Sequence, residues 1–175
     1  MRIPSAIVLT AMMIVMSHGA DAASIPSQLH NKTITTSFTV TIPAKGPDGT
    51  TAPRTRNVNR VVYISSAGRF FSRSDRRVKG ASETTERGPD QTSSTYRFDG
   101  GNLVSVLQLG TGASQLVVSF DSSFSSCTAR VLTGGQGGGS MTWKGIDGKT
   151  YTSTGPATAS SPSCSIQSGN PFAGQ

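Results

Sequence analysis

Residues 33–42 read TITTSFTVTI, and this stretch restricts the fold more than any other. Ile34, Phe38, Val40 and Ile42 lie on one side of an extended chain, with Thr or Ser opposite. A period of two belongs to a strand, because successive side chains point to opposite faces. Shorter runs of β-branched and aromatic residues recur along the chain, set apart by Gly, Ser, Asn and Asp clusters, and no helical period is found. Hairpins are therefore expected. Asn57–Ser65 leads through Ser66-Ala67-Gly68 into Arg69–Arg73, and Thr95–Phe98 turns at Asp99-Gly100-Gly101-Asn102 into Leu103–Leu109. Gln115–Phe120 and Cys127–Thr133 read as further strands, and Met141–Lys144 and Thr150–Ser153 flank the turn Gly145-Ile146-Asp147-Gly148. The expected fold is a single all-β domain, an antiparallel sandwich or small barrel built of hairpins with one disulfide.

The start of the chain reads as an export signal. Met1-Arg2 is a short basic start, Ala6–Met16 is an apolar run broken by Thr10, and Ala20-Asp21-Ala22 puts small residues before Ala23. The apolar run falls short of the about 20 residues that a membrane span needs. The division expected is a signal peptide over 1–22, an extended lead-in over 23–32, an all-β domain over 33–167 and a flexible tail over 168–175. Two internal loops are expected. Pro43–Pro53 carries three prolines and two glycines, and residues 74–94 have almost no apolar side chain, so a flexible loop is placed there. Gly134–Ser140 (GGQGGGS) reads as a flexible link. The mature protein is expected in the periplasm or secreted, with no transmembrane segment after cleavage. A transmembrane β-barrel is disfavoured by the shortage of aromatic residues for its girdles.

Charge is unevenly spread. The chain has 16 Lys or Arg against 9 Asp or Glu, a net +7. Much of the excess lies between Arg54 and Arg87, where only Asp75, Glu83 and Glu86 oppose nine basic residues. Such a field draws anionic partners, among them acidic glycans, lipid head groups and nucleic acid. The candidate anion-binding residues are Arg60, Arg69, Arg73, Arg76, Arg77 and Lys79, on and just beyond the first hairpin; the plain reading is a solvated hairpin face. Tyr63, Phe70 and Phe71 interleave with them, but adjacent Phe70 and Phe71 must face opposite ways, so nucleic-acid stacking is the weaker reading and no specific nucleic acid is expected. Trp143 beside Lys144 offers a sugar platform, against the more ordinary place of a lone Trp in the core.

Catalytic constellations are scarce. Gly110-Thr111-Gly112 lacks the third glycine and the helix of a dinucleotide site, since Gln115 stands in its place. The glycine run has no Lys-Ser or Lys-Thr partner, no serine lies in a GxSxG elbow, and His30 is the one histidine after the leader. No cofactor, no metal and no catalytic residue are expected. Paired carboxylates for an envelope hydrolase are available among Glu83, Glu86, Asp90, Asp99, Asp121 and Asp147, mostly in turns or the charged segment. The expectation is a non-enzymatic binding or interaction protein for an anionic polymer or envelope surface. A hydrolase, or a structural protein pairing through sheet edges, are the alternatives.

Cys127 and Cys164 are the two cysteines. In an exported chain an even count makes a disulfide the default, worth about 4 kcal/mol for a loop of this length on the chain-entropy model. Ser24–Leu29, the run Ser119–Asp121 to Phe124–Cys127, and Cys164–Asn170 resemble small exported bacterial proteins of unknown function. That resemblance implies export and the bridge, and it implies no substrate, cofactor or active site.

Overall fold

A computed structural model gives the structure of residues 24–89, 95–108, 113–133 and 142–173. The expected signal peptide, the glycine run at 134–140, the turn at 110–112 and Asp90 lie outside the described residues. Twelve strands run through these residues. They are β1 (Lys32–Lys45), β2 (Thr51–Ile64), β3 (Phe70–Val78), β4 (Ala81–Arg87), β5 (Tyr96–Asp99) and β6 (Asn102–Gln108). Then come β7 (Ala113–Phe120), β8 (Cys127–Leu132), β9 (Thr142–Lys144), β10 (Thr150–Ser153), β11 (Thr158–Ala159) and β12 (Ser163–Ser168).

β1 organises the first sheet. It pairs along its whole length with β2, from Lys32↔Ile64 to Lys45↔Thr51. Its other edge takes β12, β11 and β10 one after another. β3 and β4 extend the sheet beyond β2, and β9 extends it beyond β10. The second sheet has the order β5-β6-β7-β8. All the pairings are antiparallel, and the two sheets form a half-barrel. The Cys127–Cys164 disulfide ties β8 to β12, with the two Cα atoms 5.7 Å apart. The core lies between the sheets: Ile34, Phe38, Val40, Val62 and Ile64 from one side meet Phe98, Leu103, Leu116 and Val118 from the other. The alternation in TITTSFTVTI thus buries the face it predicts. Phe70 packs on this core, while Phe71 lies against Tyr63.

Turn chemistry fixes the registers. Asp99↔Asn102 closes β5 and β6 around Gly100 and Gly101, whose φ angles of 53° and 81° are the two left-handed positions that a two-residue hairpin turn requires. The Gly46–Thr50 and Gly145–Lys149 turns share one design. Each has a backbone bond across the turn and an aspartate, Asp48 or Asp147, accepting the amide two residues on.

Four expectations are corrected. Residues 43–53 are mostly strand, and just Gly46–Thr50 turn. Pro43 and Pro53 face each other, Pro43 in the gap between the β11 and β10 pairings and Pro53 beyond the end of the β3 pairing. Proline is tolerated where the ladder has no call on its missing N–H. The stretch placed as a flexible loop at 74–94 carries the rest of β3 and all of β4, joined at Lys79-Gly80. It holds by polar cross-strand pairs, Arg76–Glu83 at 2.9 Å and Thr84 Oγ1 donating to Asp75 at 2.7 Å, instead of by apolar ones. The lead-in is not merely extended: Ser27–Leu29 form one 3-10 turn that buries Leu29 completely. The tail is docked as far as Phe172, because Gly169 N–H bonds Asn31 and the Phe172 ring lies under the Arg73 guanidinium.

Candidate functional site

The register of β2 decides where the arginines go. Val62 and Val58 face the core, so every second residue toward the start of the strand shares their side: Arg60, Arg56 and Arg54. The β3 partners on that face are Ser72 opposite Val62, Ser74 opposite Arg60 and Arg76 opposite Val58. β4 adds Arg87, Thr85 and Glu83 in turn. The inner face of the sheet is therefore apolar where the second sheet covers it and arginine-rich beyond. Arg60 stands at the boundary. Its Nη1 donates to Ser105 Oγ (2.8 Å) and its Nη2 to Tyr96 Oη (3.0 Å), both on the second sheet.

Two clefts open along this face and share Arg56 and Arg76. One, about 220 Å³, lies against the second sheet, with Arg60, Arg87, Tyr96 and Leu107 in its walls. The other, about 380 Å³, is lined by the first sheet alone, by Arg54, Lys79, Glu83, Trp143, Asp147 and Tyr151 among others. At its floor the Arg54 guanidinium lies 4.5 Å over the Tyr151 ring, an electrostatically favourable cation–π arrangement. Trp143 and Tyr151 meet at 5.9 Å between centroids, and the Tyr151 hydroxyl donates to Asp147. That bond holds the Asp147 carboxyl below the usual aspartate range and pushes the Tyr151 hydroxyl above its ordinary value. Burial, and then the Arg76 charge, lower Arg56 from the ordinary arginine value, with Glu83 opposing. An arginine so perturbed still keeps its proton at neutral pH. The Nε atoms of Arg54 and Arg60 are shielded from solvent and have no hydrogen-bond partner among the described residues.

The six candidate anion-binding residues divide between the faces. Arg60 and Arg76 lie on the inner face, and Lys79 reaches the larger cleft from the β3–β4 turn. Arg73 and Arg77 point outward, where Arg73 is ion-paired with Asp75 and Glu86, and Arg69 is exposed in the β2–β3 turn. Sequence reasoning passed over Arg54, Arg56, Arg87 and Tyr151. The alternation R-x-R-x-V-x-R at 54–60 carries the signal, but a strand started at Asn57 leaves Arg54 and Arg56 outside it.

The outer face has a hollow of about 520 Å³ between β1, β2 and β3, lined by groups such as Ser37, Thr39, Asn57 and Asn59. These already bond one another, Ser37 to Asn59 and Thr39 to Asn57. Among the carboxylates, Glu86 faces outward opposite Arg73, Asp99 opens the β5–β6 turn, and Asp121 organises the loop before β8. Glu83 and Asp147 line one cleft. No group of His, Cys, Asp and Glu able to hold a metal is found among the described residues. Comparison with family models, with curated proteins and with solved structures finds no significant match to this chain.

Proposed function

We propose that this is an exported, non-enzymatic binding protein that takes an anionic ligand on the arginine-lined inner face of its half-barrel. One observation carries the reading: β2 and its neighbours set Arg54, Arg56, Arg60, Arg76 and Arg87 along a continuous pair of clefts. Partly buried guanidinium groups are expensive to desolvate, and a buried donor left unpaired costs about 1–3 kcal/mol. An anion accepting from several of them would offset that cost, since planar guanidinium groups bind carboxylate and phosphate oxygens two at a time. The disulfide supports an oxidising compartment and hence export. Binding is favoured over hydrolysis by the state of the carboxylates. A paired-carboxylate hydrolase needs one of them protonated, with its pKa raised. Here Asp147 is held ionised by the Tyr151 hydroxyl, and Glu83 is ion-paired with Arg76 at 2.9 Å. Assembly through the β4 edge is disfavoured by the charged residues along it.

Titration with polyphosphate across a range of salt concentrations tests the proposal. Each arginine that neutralises an anionic group releases counterions, so affinity should fall linearly in a double-logarithmic plot against salt. Arg56→Gln/Arg87→Gln should weaken binding by about tenfold or more and flatten that slope by about one to two. An unchanged affinity and slope in a folded variant would remove the inner face from the account.

A further inference from the structure

The larger cleft differs from the rest of the arginine face in having an aromatic wall and carboxylates. Trp143 and Tyr151 form one side, Arg54 lies over Tyr151, and Glu83 and Asp147 stand within the same cavity. A polyanion bound by charge alone would need neither feature, and a fully ionised phosphate has no hydroxyl to donate to the two carboxylates. A ligand bearing one planar anionic group and several hydroxyls fits all of them. Its anionic group would accept from the Arg54 fork, its hydroxyls would donate to Asp147 and Glu83, and a C–H face of its ring would pack on Trp143. The volume, about 380 Å³, is at the small end of the range for small-molecule pockets, about 300–1,000 Å³.

We infer that this cleft is a subsite for an acidic sugar, a pyranose carrying a carboxylate, held between Arg54 and Trp143. The inference rests on the anion-binding reading and adds to it the ligand's class. Acidic sugars are favoured over nucleotides because a nucleotide has fewer hydroxyls to donate to Glu83 and Asp147, its phosphate calling on the basic residues alone.

Trp143 is the single tryptophan of the chain, so its fluorescence reports on this cleft in the unaltered protein. The probes are trigalacturonate, polyphosphate and adenosine monophosphate, with binding followed by calorimetry in parallel. Trigalacturonate should shift or quench the Trp143 emission saturably, with the affinity calorimetry gives, and polyphosphate should bind while leaving the emission nearly unchanged. Arg54→Lys keeps the charge and loses the planar fork, so it should weaken trigalacturonate about tenfold and polyphosphate by no more than about threefold. If both anions bind and trigalacturonate leaves Trp143 silent, or if both move it alike, the sugar subsite is wrong and the arginine face stands. A response to adenosine monophosphate as strong as that to trigalacturonate also overturns the sugar assignment. If calorimetry shows neither polyphosphate nor trigalacturonate binding, the arginine-face reading falls and this inference with it.

Discussion

Arg54 and Arg60 share one face of one strand and are held in different ways. Arg60 spends both terminal nitrogens on Ser105 and Tyr96 and so fastens the first sheet to the second. Arg54 rests on a ring, with its Nε–H left to donate to a further partner. Hydrogen bonds that involve a charged group contribute about 1.5–3 kcal/mol each when partly buried, and less where solvent reaches them. Arg60→Ala gives up two such bonds, each discounted because the side chain is only half-buried, and should lower the stability measured by urea unfolding by about 1.5–3 kcal/mol in all. Arg54→Gln gives up no hydrogen bond to the described residues but loses its place over the Tyr151 ring, so it should cost no more than about 1 kcal/mol. Equal losses for the two would show that they play the same part.

At the scale of elements, aspartates set the loops between strands. Asp121 accepts from the Ser125 and Ser126 amides and from the Ser123 and Ser125 hydroxyls, which hold its carboxyl far below the usual range. Asp48 and Asp147 are lowered in the same direction. A carboxyl with a depressed folded pKa adds stability above its unfolded value, about 4, and that stability is lost as pH falls below it toward the folded value. Urea midpoints should therefore fall as pH drops from about 5 toward 2, and Asp121→Asn should flatten that decline while lowering the plateau at neutral pH. A variant with the parent's full acid slope would show that the loop is not organised by this charge.

The same scale shows what could be read in the residues. Ile34, Phe38, Val40 and Ile42 announced their strand because one face of it is buried, and Gly100-Gly101 announced its turn because L-residues avoid that backbone. β4 and the far part of β3 gave no apolar signal, because their inner face borders a cleft instead of the core, and alternation of hydropathy vanishes where both faces are wet. How far the second sheet reaches over the first is a long-range property that no local window contains. The division of the arginines between faces follows from register alone, and it becomes legible when β2 starts at Thr51 instead of at Asn57. The recurrence of K-G-x-D-G at 45–49 and 144–148 marks the two turns that frame Arg54 and Tyr151, and was a usable signal.

At the scale of the whole molecule, two sheets close on one side and stay open on the other. The Cys127–Cys164 bridge joins them where β8 meets β12, and a loop of this length is worth about 4 kcal/mol on the chain-entropy model. Among the described residues no helix is long and apolar enough to cross a membrane. The open side carries the arginine clefts, so basic charge is present on both faces of the first sheet but is organised into clefts on one of them. Net charge alone predicts that removing any three arginines weakens anion binding alike, whereas a built site predicts that the face decides. The direct measurement compares two charge-matched variants against polyphosphate and polygalacturonate at low salt. One carries Arg54→Gln, Arg56→Gln and Arg87→Gln on the inner face; the other carries Arg69→Gln, Arg73→Gln and Arg77→Gln on the outer face and its turn. The inner-face variant should lose affinity by at least about tenfold, and the outer-face variant should keep it within about threefold. Equal losses, or a larger loss from the outer face, would contradict the account.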